Sequence, residues 1–163
     1  MSKQLQITIS VEEFESLDAL APHDRELMLH AQEATSTAYA PYSNFLVGTA
    51  LLLSNGQVMI GTNQEAAAYP SGLCAERTAL FAKGAQLPAI DIEAMAVTAR
   101  KRGATNYLPV TSCGACRQVM AEFEQRQNRP IRIIFPADGG KFHVCRSVSD
   151  LLPLQFNSKS LDA

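Results

Sequence analysis

No run of about 18 or more apolar residues occurs in this chain of 163 residues, which excludes a membrane-spanning helix. Nor does Met1–Ser10 carry the charged start, apolar run and small-residue cleavage site of a secretion signal, so a cytoplasmic protein is expected. Basic residues are not in excess, since the formal net charge is −2. Attraction to phosphate needs clustered Lys and Arg. The one short cluster, Arg100–Lys101–Arg102 beside Gly103, reads as a solvated turn. Nucleic acid and membrane both drop out as expected partners. Internal repeats and low-complexity tracts are missing too. The histidines, His23, His30 and His143, fall away from the motifs described below, so no Ser-His-Asp arrangement is suggested.

What is present suits one domain, because domains typically run about 100–150 residues. Residues 1–22 read as an N-terminal extension and 23–163 as the domain proper. The extension holds an alternating stretch, Leu5–Ile9, followed by acidic Val11–Leu20, which reads as a short helix. From His23, apolar Leu27, Ala31, Ala34 and Ala38 recur at helical spacing, and Pro41 should stop that helix near Ala38. Phe45–Leu53 and Val58–Gly61 flank Ser54-Asn55-Gly56, the signature of an antiparallel hairpin whose Asn-Gly takes positive φ. Asn63–Leu73, with Pro70 and Gly72, reads as a loop. A helix is expected over Ala75–Lys83 with Gly84 as its C-cap. Ile92–Ala99 reads as a buried strand, Cys113–Gln127 as a helix and Ile131–Phe135 as a strand. Lys141–Cys145 is a shorter strand and Val148–Leu152 a last helical turn. Strands separated by helices predict an α/β fold whose later strand–helix–strand crossover is parallel and right-handed.

Four cysteines occur: Cys74, Cys113, Cys116 and Cys145. Without a secretion signal, metal binding or catalysis outranks disulfide formation. Cys113-x-x-Cys116 alone is ambiguous between zinc ligation and a redox motif. Cys74 and Cys113, however, each stand at the predicted start of a helix, where partial positive charge and free N–H groups favour thiolate. Two such starts facing each other bring three thiolates together, and three ligands leave the fourth tetrahedral position of Zn²⁺ open to water. Glu76, two residues after Cys74, is spaced to direct its carboxylate at that water without becoming a ligand. This is the three-cysteine form of the zinc deaminase signature, in which a non-ligand Glu moves the protons.

The chain resembles the small homotetrameric cytidine deaminases. The residues that carry the resemblance are Cys74-Ala75-Glu76-Arg77-Thr78-Ala79 and Ser112-Cys113-Gly114-Ala115-Cys116-Arg117-Gln118. They are joined by Tyr39-Ala40-Pro41-Tyr42-Ser43-Asn44-Phe45, by Asn63-x-Glu65-x-Ala67, and by Leu151-Leu152-Pro153 with Phe156. The resemblance runs from about His23 to Leu161. It implies a three-layer cytidine deaminase-like fold, with a mixed central sheet of about five strands flanked by helices. It implies one Zn²⁺ per chain on Cys74, Cys113 and Cys116, with Glu76 as proton shuttle. Phe45 would pack on the pyrimidine, Asn63 and Glu65 would grip the ribose hydroxyls, and backbone groups near Ala75 and Glu76 would hold the intermediate. Arg77 would hydrogen-bond a cysteine ligand and offset charge, since three thiolates and Zn²⁺ sum to −1. Phe156 would come from a neighbouring subunit of a homotetramer.

The implied activity is hydrolytic deamination of cytidine or deoxycytidine to the uridine nucleoside and ammonia, a step of pyrimidine salvage. Two departures bear on it. Ser112 stands where proline usually precedes the second cysteine, and Ala66 where Asn usually follows the ribose-binding Glu; sugar preference and efficiency are the properties they touch. Two other readings compete. One is deamination of a modified cytosine nucleoside, such as an aminoacyl nucleoside antibiotic. The other is a non-catalytic zinc-stabilised protein, which a fourth ligand from Cys145 would produce by closing the site. Cys145 lies on a predicted strand away from any helix start, where a buried, inert thiol is the commoner outcome.

Overall fold

The computed structural model describes residues 2–161. Nine regular elements follow one another among the described residues: β1 (Val11–Phe14), α1 (Pro22–Ala34), β2 (Phe45–Leu53), β3 (Val58–Thr62), α2 (Ala75–Gln86), β4 (Ile92–Lys101), α3 (Gly114–Gln127), β5 (Arg132–Pro136) and β6 (Phe142–Cys145). Short 3₁₀ turns cover Leu17–Ala19, Thr35–Thr37, Tyr69–Ser71, Asp138–Gly140, Val148–Asp150 and Ser158–Ser160. The strands form one mixed sheet in the order β1-β6-β5-β4-β2-β3.

Side-chain alternation in the central strands builds three layers. On β4, Ala94 and Ala96 face one side with Ala50 of β2, and there they meet Leu27, Met28 and Ala31 of α1. Met95 and Val97 face the other side with Leu51 and Leu53, and meet Leu80 of α2 and Met120 and Phe123 of α3. Period-two patterning thus assigns one helix to one face and two to the other. The α1 face of the two central strands is lined by alanine, which lets that helix lie close to the sheet. Full burial of a Leu or Met side chain contributes about 1.5–3 kcal/mol, so the two clusters hold the layers together.

The hairpin forms as its turn chemistry requires, with Gly56 at φ 81° between β2 and β3. β4 and β5 are parallel across α3, while the remaining pairs are antiparallel. Three expectations need correction. The sheet has six strands rather than about five, and the sixth is β1, drawn from the acidic stretch read as a helix. Val11–Phe14 pairs with Phe142–Cys145 because Glu13 meets Lys141 and His143 across the strands, and Glu12 meets Arg146. Gly84 is no C-cap. α2 runs on to Gln86 because Gly84 packs against the Phe123 ring, and Leu87 ends the helix with its amide on the Lys83 carbonyl. The first helix breaks into a 3₁₀ turn at Thr35, earlier than the Ala38 that Pro41 suggested.

Candidate active site

Cys74 and Cys113 are the N-cap residues of α2 and α3. Both take extended dihedrals (φ −70°, ψ 155° and φ −69°, ψ 165°), and their carbonyls accept the first helical bonds from Thr78 and Arg117 at 3.0 Å. Neither side chain caps its helix. Where Ser or Asp would turn back onto the backbone, the thiols are free to point at each other. Cys116, one turn into α3, joins them. The sulfurs of Cys74, Cys113 and Cys116 lie within 4.8 Å of one another, with Cys113 and Cys116 3.5 Å apart.

Three sulfurs at this spacing fit zinc. Tetrahedral ligation with Zn–S bonds of about 2.3 Å sets sulfurs about 3.8 Å apart, inside the span of the cluster. Cys145 is not part of it: among the described residues the group comprises three donors. Cys145 is fully buried on β6, and burial pushes its thiol up to about 11. In the cluster, by contrast, the Cys74 thiol is drawn down to about 5, first by the hydrogen bond with Cys116 and further by Arg77, whose Nη2 stands 3.6 Å from its sulfur. Cys116 moves the other way, because it donates to the Cys74 thiolate and is itself buried.

Glu76 lies in the first turn of α2 and is only 4% exposed. Loss of solvation raises its carboxyl above the ordinary range, while its own amide and the side chains of Ser112 and Cys116 pull in the opposite direction. A carboxyl that burial raises above the ordinary carboxylate range suits a group that takes up and returns protons.

The cluster and Glu76 open onto a cleft of about 830 Å³. Its floor is Val47, Val97 and Ala99 of the central strands, and its walls include Phe45, Asn63 and Glu65. Asn63 fastens the loop after β3 to β2: its Oδ1 accepts from the Val47 amide and its Nδ2 donates to the Phe45 carbonyl, each at 2.9 Å. Glu65 closes the mouth by accepting from the Tyr42 and Ser43 amides and from the Ser43 hydroxyl, which hold its carboxyl below the ordinary range. Tyr42 and Tyr69 stack edge to face beside it, ring centroids 5.8 Å apart.

Of the ten residues that the sequence singles out, Phe45, Asn63, Glu65, Cys74, Glu76, Arg77 and Cys113 border this cleft, with Cys116 buried behind them. Ala75 is fully buried and is not part of the wall. Phe156 lies elsewhere. Its ring is exposed, its carbonyl accepts from Gln118 Nε2 at 2.8 Å, and it borders a groove with Phe81 and Val119 on the outer side of α2 and α3. Sequence reasoning missed Arg117, which binds the Ser112 and Leu151 carbonyls at 2.8 Å and so ties the start of α3 to the segment after β6. Its only signal was membership of the second cysteine motif.

Comparisons with known proteins agree with this geometry. Residues 21–128 match the model of the cytidine and deoxycytidylate deaminase zinc-binding region. A cytidine deaminase of Halalkalibacterium halodurans is 39% identical over 140 residues, covering 85% of this chain and 98% of that protein. The crystal structure of a cytidine deaminase from Burkholderia pseudomallei superposes with a TM-score of 0.68 at 38% identity, covering 84% of this chain and all of the other. That of the Mycobacterium tuberculosis cytidine deaminase gives 0.64 at 30% identity over 84% of this chain and 98% of the other.

Proposed function

This chain belongs to the cytidine and deoxycytidylate deaminase family, and on that premise we propose that it hydrolyses cytidine or deoxycytidine to the uridine nucleoside and ammonia. The observation that carries the reading is one helix start shared by two functions: Cys74 contributes to a three-sulfur cluster, and Glu76, two residues on, presents a buried carboxyl beside it. A zinc ion on Cys74, Cys113 and Cys116 supplies Lewis-acid activation of water.

The chain's own residues do the rest. Glu76 accepts a proton from the attacking water and delivers it to N3 of the base, which makes C4 more electrophilic. A C4–O bond forms. Glu76 then hands the second proton to the 4-amino group, the C4–N bond breaks, and ammonia leaves. Backbone groups near Ala75 and Glu76 hold the developing charge, since the first amides of α2 lack intrahelical partners. Arg77 offsets the negative charge of three thiolates through its contact with the Cys74 sulfur. Phe45 stacks on the pyrimidine, and Asn63 and Glu65 take the ribose hydroxyls. The bonds that Asn63 and Glu65 make in the free protein support that role by fixing their positions before substrate arrives.

Phe156 supports a homotetramer, because an exposed aromatic beside Phe81 and Val119 suits a surface covered by a neighbouring subunit whose cleft it completes. No helix among the described residues is long and apolar enough to cross a membrane, which accords with a cytoplasmic role in pyrimidine salvage. The residues before His23 are an N-terminal extension in this reading, one that adds β1 to the edge of the domain's sheet. The test is an absorbance assay on purified protein with cytidine and deoxycytidine, run beside zinc content per chain and light scattering. Turnover with about one zinc per chain is expected; a zinc-loaded protein inert to both nucleosides overturns the reading.

A further inference from the structure

The basic cluster Arg100–Lys101–Arg102 lies at the end of β4, and the structure corrects its reading as a merely solvated turn, because both arginines hold other segments. Arg100 binds the Thr35 hydroxyl at 2.8 Å and the Ala104 carbonyl at 3.2 Å. Arg102 stands against the turn Ala40–Asn44, which the Asn44 amide closes on the Ala40 carbonyl at 3.2 Å. Its guanidinium grips that turn at both ends: Nη2 donates to the Ala40 carbonyl at 3.3 Å and Nε to Asn44 Oδ1 at 3.0 Å. The Arg102 amide adds a bond to the Asn44 carbonyl at 2.9 Å. Asn44 itself sits at φ 54°, a left-handed backbone that Asn tolerates better than most residues. Between the gripped ends lie Tyr42 and Ser43, whose amides donate to Glu65 Oε2 at 3.0 and 3.3 Å, while the Ser43 hydroxyl donates to Oε1.

We propose that Arg102 is a positioning residue for sugar recognition, its guanidinium setting the Ala40–Asn44 turn so that Tyr42 and Ser43 hold the Glu65 carboxylate at the cleft mouth. The inference rests on the reading of Glu65 as the acceptor for a ribose hydroxyl. A carboxylate that accepts from a substrate hydroxyl has to be aimed, and the donors that aim Glu65 belong to a loop rather than to the sheet. Loops move more than the elements they connect, so the ends of this one need fixing. A guanidinium is planar and presents its donors in a rigid fork, which lets one side chain fix both ends; an ammonium carries the charge without the fork. Phe45 is held separately. It pairs with Lys101 across β2 and β4, and its carbonyl accepts from Asn63 Nδ2. Loosening the turn therefore weakens the grip on the sugar and spares the stacking on the base.

The test compares Arg102→Ala and Arg102→Lys with wild type in the zinc-loaded enzyme, each also in a Glu65→Ala background. Cytidine is the substrate, and dideoxycytidine, which lacks both secondary sugar hydroxyls, is the competing ligand. Arg102→Ala should raise KM for cytidine about three- to tenfold, the effect of losing an ordinary hydrogen bond. Its kcat should stay within about twofold, since the reacting groups are untouched, and zinc content should match wild type. The Ki of dideoxycytidine should move by less than about twofold, because it offers Glu65 no hydroxyl. Arg102→Lys should behave as Arg102→Ala does, because charge alone cannot span the turn. Glu65→Ala should itself raise KM for cytidine, and removing Arg102 in that background should add less than about twofold. An unaltered Arg102→Ala variant, a loss confined to kcat, an equal rise in KM and Ki, a Lys variant that behaves as wild type, or full additivity with Glu65→Ala overturns the proposal and leaves the deaminase reading intact. If Glu65→Ala leaves KM unchanged, the sugar role of Glu65 falls and this proposal falls with it. An inactive wild-type enzyme overturns the deaminase reading as well.

Discussion

Gly61 on β3 lies so close beneath the first turn of α2 that a Cβ built there would stand 2.5 Å from the Ala75 carbonyl oxygen and 2.6 Å from the Ala79 amide nitrogen. Backbone meets backbone at this point, so no side-chain rotation can make room. The contact seats the helix start that carries Cys74 and Glu76. Sheet and site are therefore coupled through a residue with no chemistry of its own.

Gly61→Ala is accordingly expected to push α2 off the sheet. Overpacking of this kind costs about 1–3 kcal/mol, which in a chain of this length lowers the melting temperature by about 2–4 °C per kcal/mol. Zinc content should fall as well, since Cys74 moves with the helix while Cys113 and Cys116 stay on α3. Calorimetry with metal analysis would check this. An unchanged melting temperature would mean that the helix start is not seated by Gly61.

Glu76→Gln keeps the shape of the side chain and removes its capacity to carry protons. General acid–base groups contribute about 10²–10⁴ in rate. One carboxylate serving several transfers puts the expected loss in kcat at the upper end or beyond. Circular dichroism and zinc content should match wild type. Near-normal turnover in a folded, zinc-loaded variant would remove Glu76 from the mechanism.

Much of this was legible in the residues because the signals were local. Asn55-Gly56 specifies its turn through backbone sterics alone, and the cysteine spacings place thiols at helix starts wherever those helices pack. β1 was not legible. Glu12 and Glu13 read as helix formers, and the groups that make them a strand, Arg146, Lys141 and His143, lie roughly 130 positions away. Gly84 misled for a related reason, since its neighbour Phe123 belongs to a different helix. Ser112 read only as a missing proline. That its carbonyl holds Arg117, which also binds the Leu151 carbonyl beyond β6, depends on a tertiary approach that no sequence window contains.

The β1 docking carries its own pH dependence. Glu13 is held below the ordinary 4.5, first by the hydrogen bond from Lys141 and then by that of His143, while Lys141 is raised by the same carboxylate and by Glu15. A lowered carboxyl contributes stability that is present above 4.5 and lost as pH falls through its folded value. A raised lysine contributes below its ordinary 10.5 and loses that contribution as pH climbs through its own folded value. Docking should therefore be firmest between those limits. Amide exchange at Val11–Phe14, corrected for intrinsic rates and referred to the β4 amides, should quicken below pH 4.5. Glu13→Gln should flatten that response; if the variant keeps the same acid dependence, another group clasps the strand.

The count of cysteines at the metal is the sharpest test of an open against a closed site. A closed four-cysteine site is structural, whereas a three-cysteine site leaves a position for the reaction. Cys145 is buried on β6, outside the cluster, and its raised thiol resists forming the thiolate that a metal needs. Cys145→Ser should therefore retain about one zinc per chain and wild-type turnover, with only a modest loss of stability from a polar oxygen in an apolar place. Cys116→Ser should lose most of its zinc, because it removes one of three donors and leaves the Cys74 thiolate without its hydrogen-bond donor. Metal analysis of the two variants after dialysis against a weak chelator distinguishes the cases. If zinc leaves the Cys145 variant and stays with the Cys116 variant, the ligand set is wrong and the open coordination position goes with it.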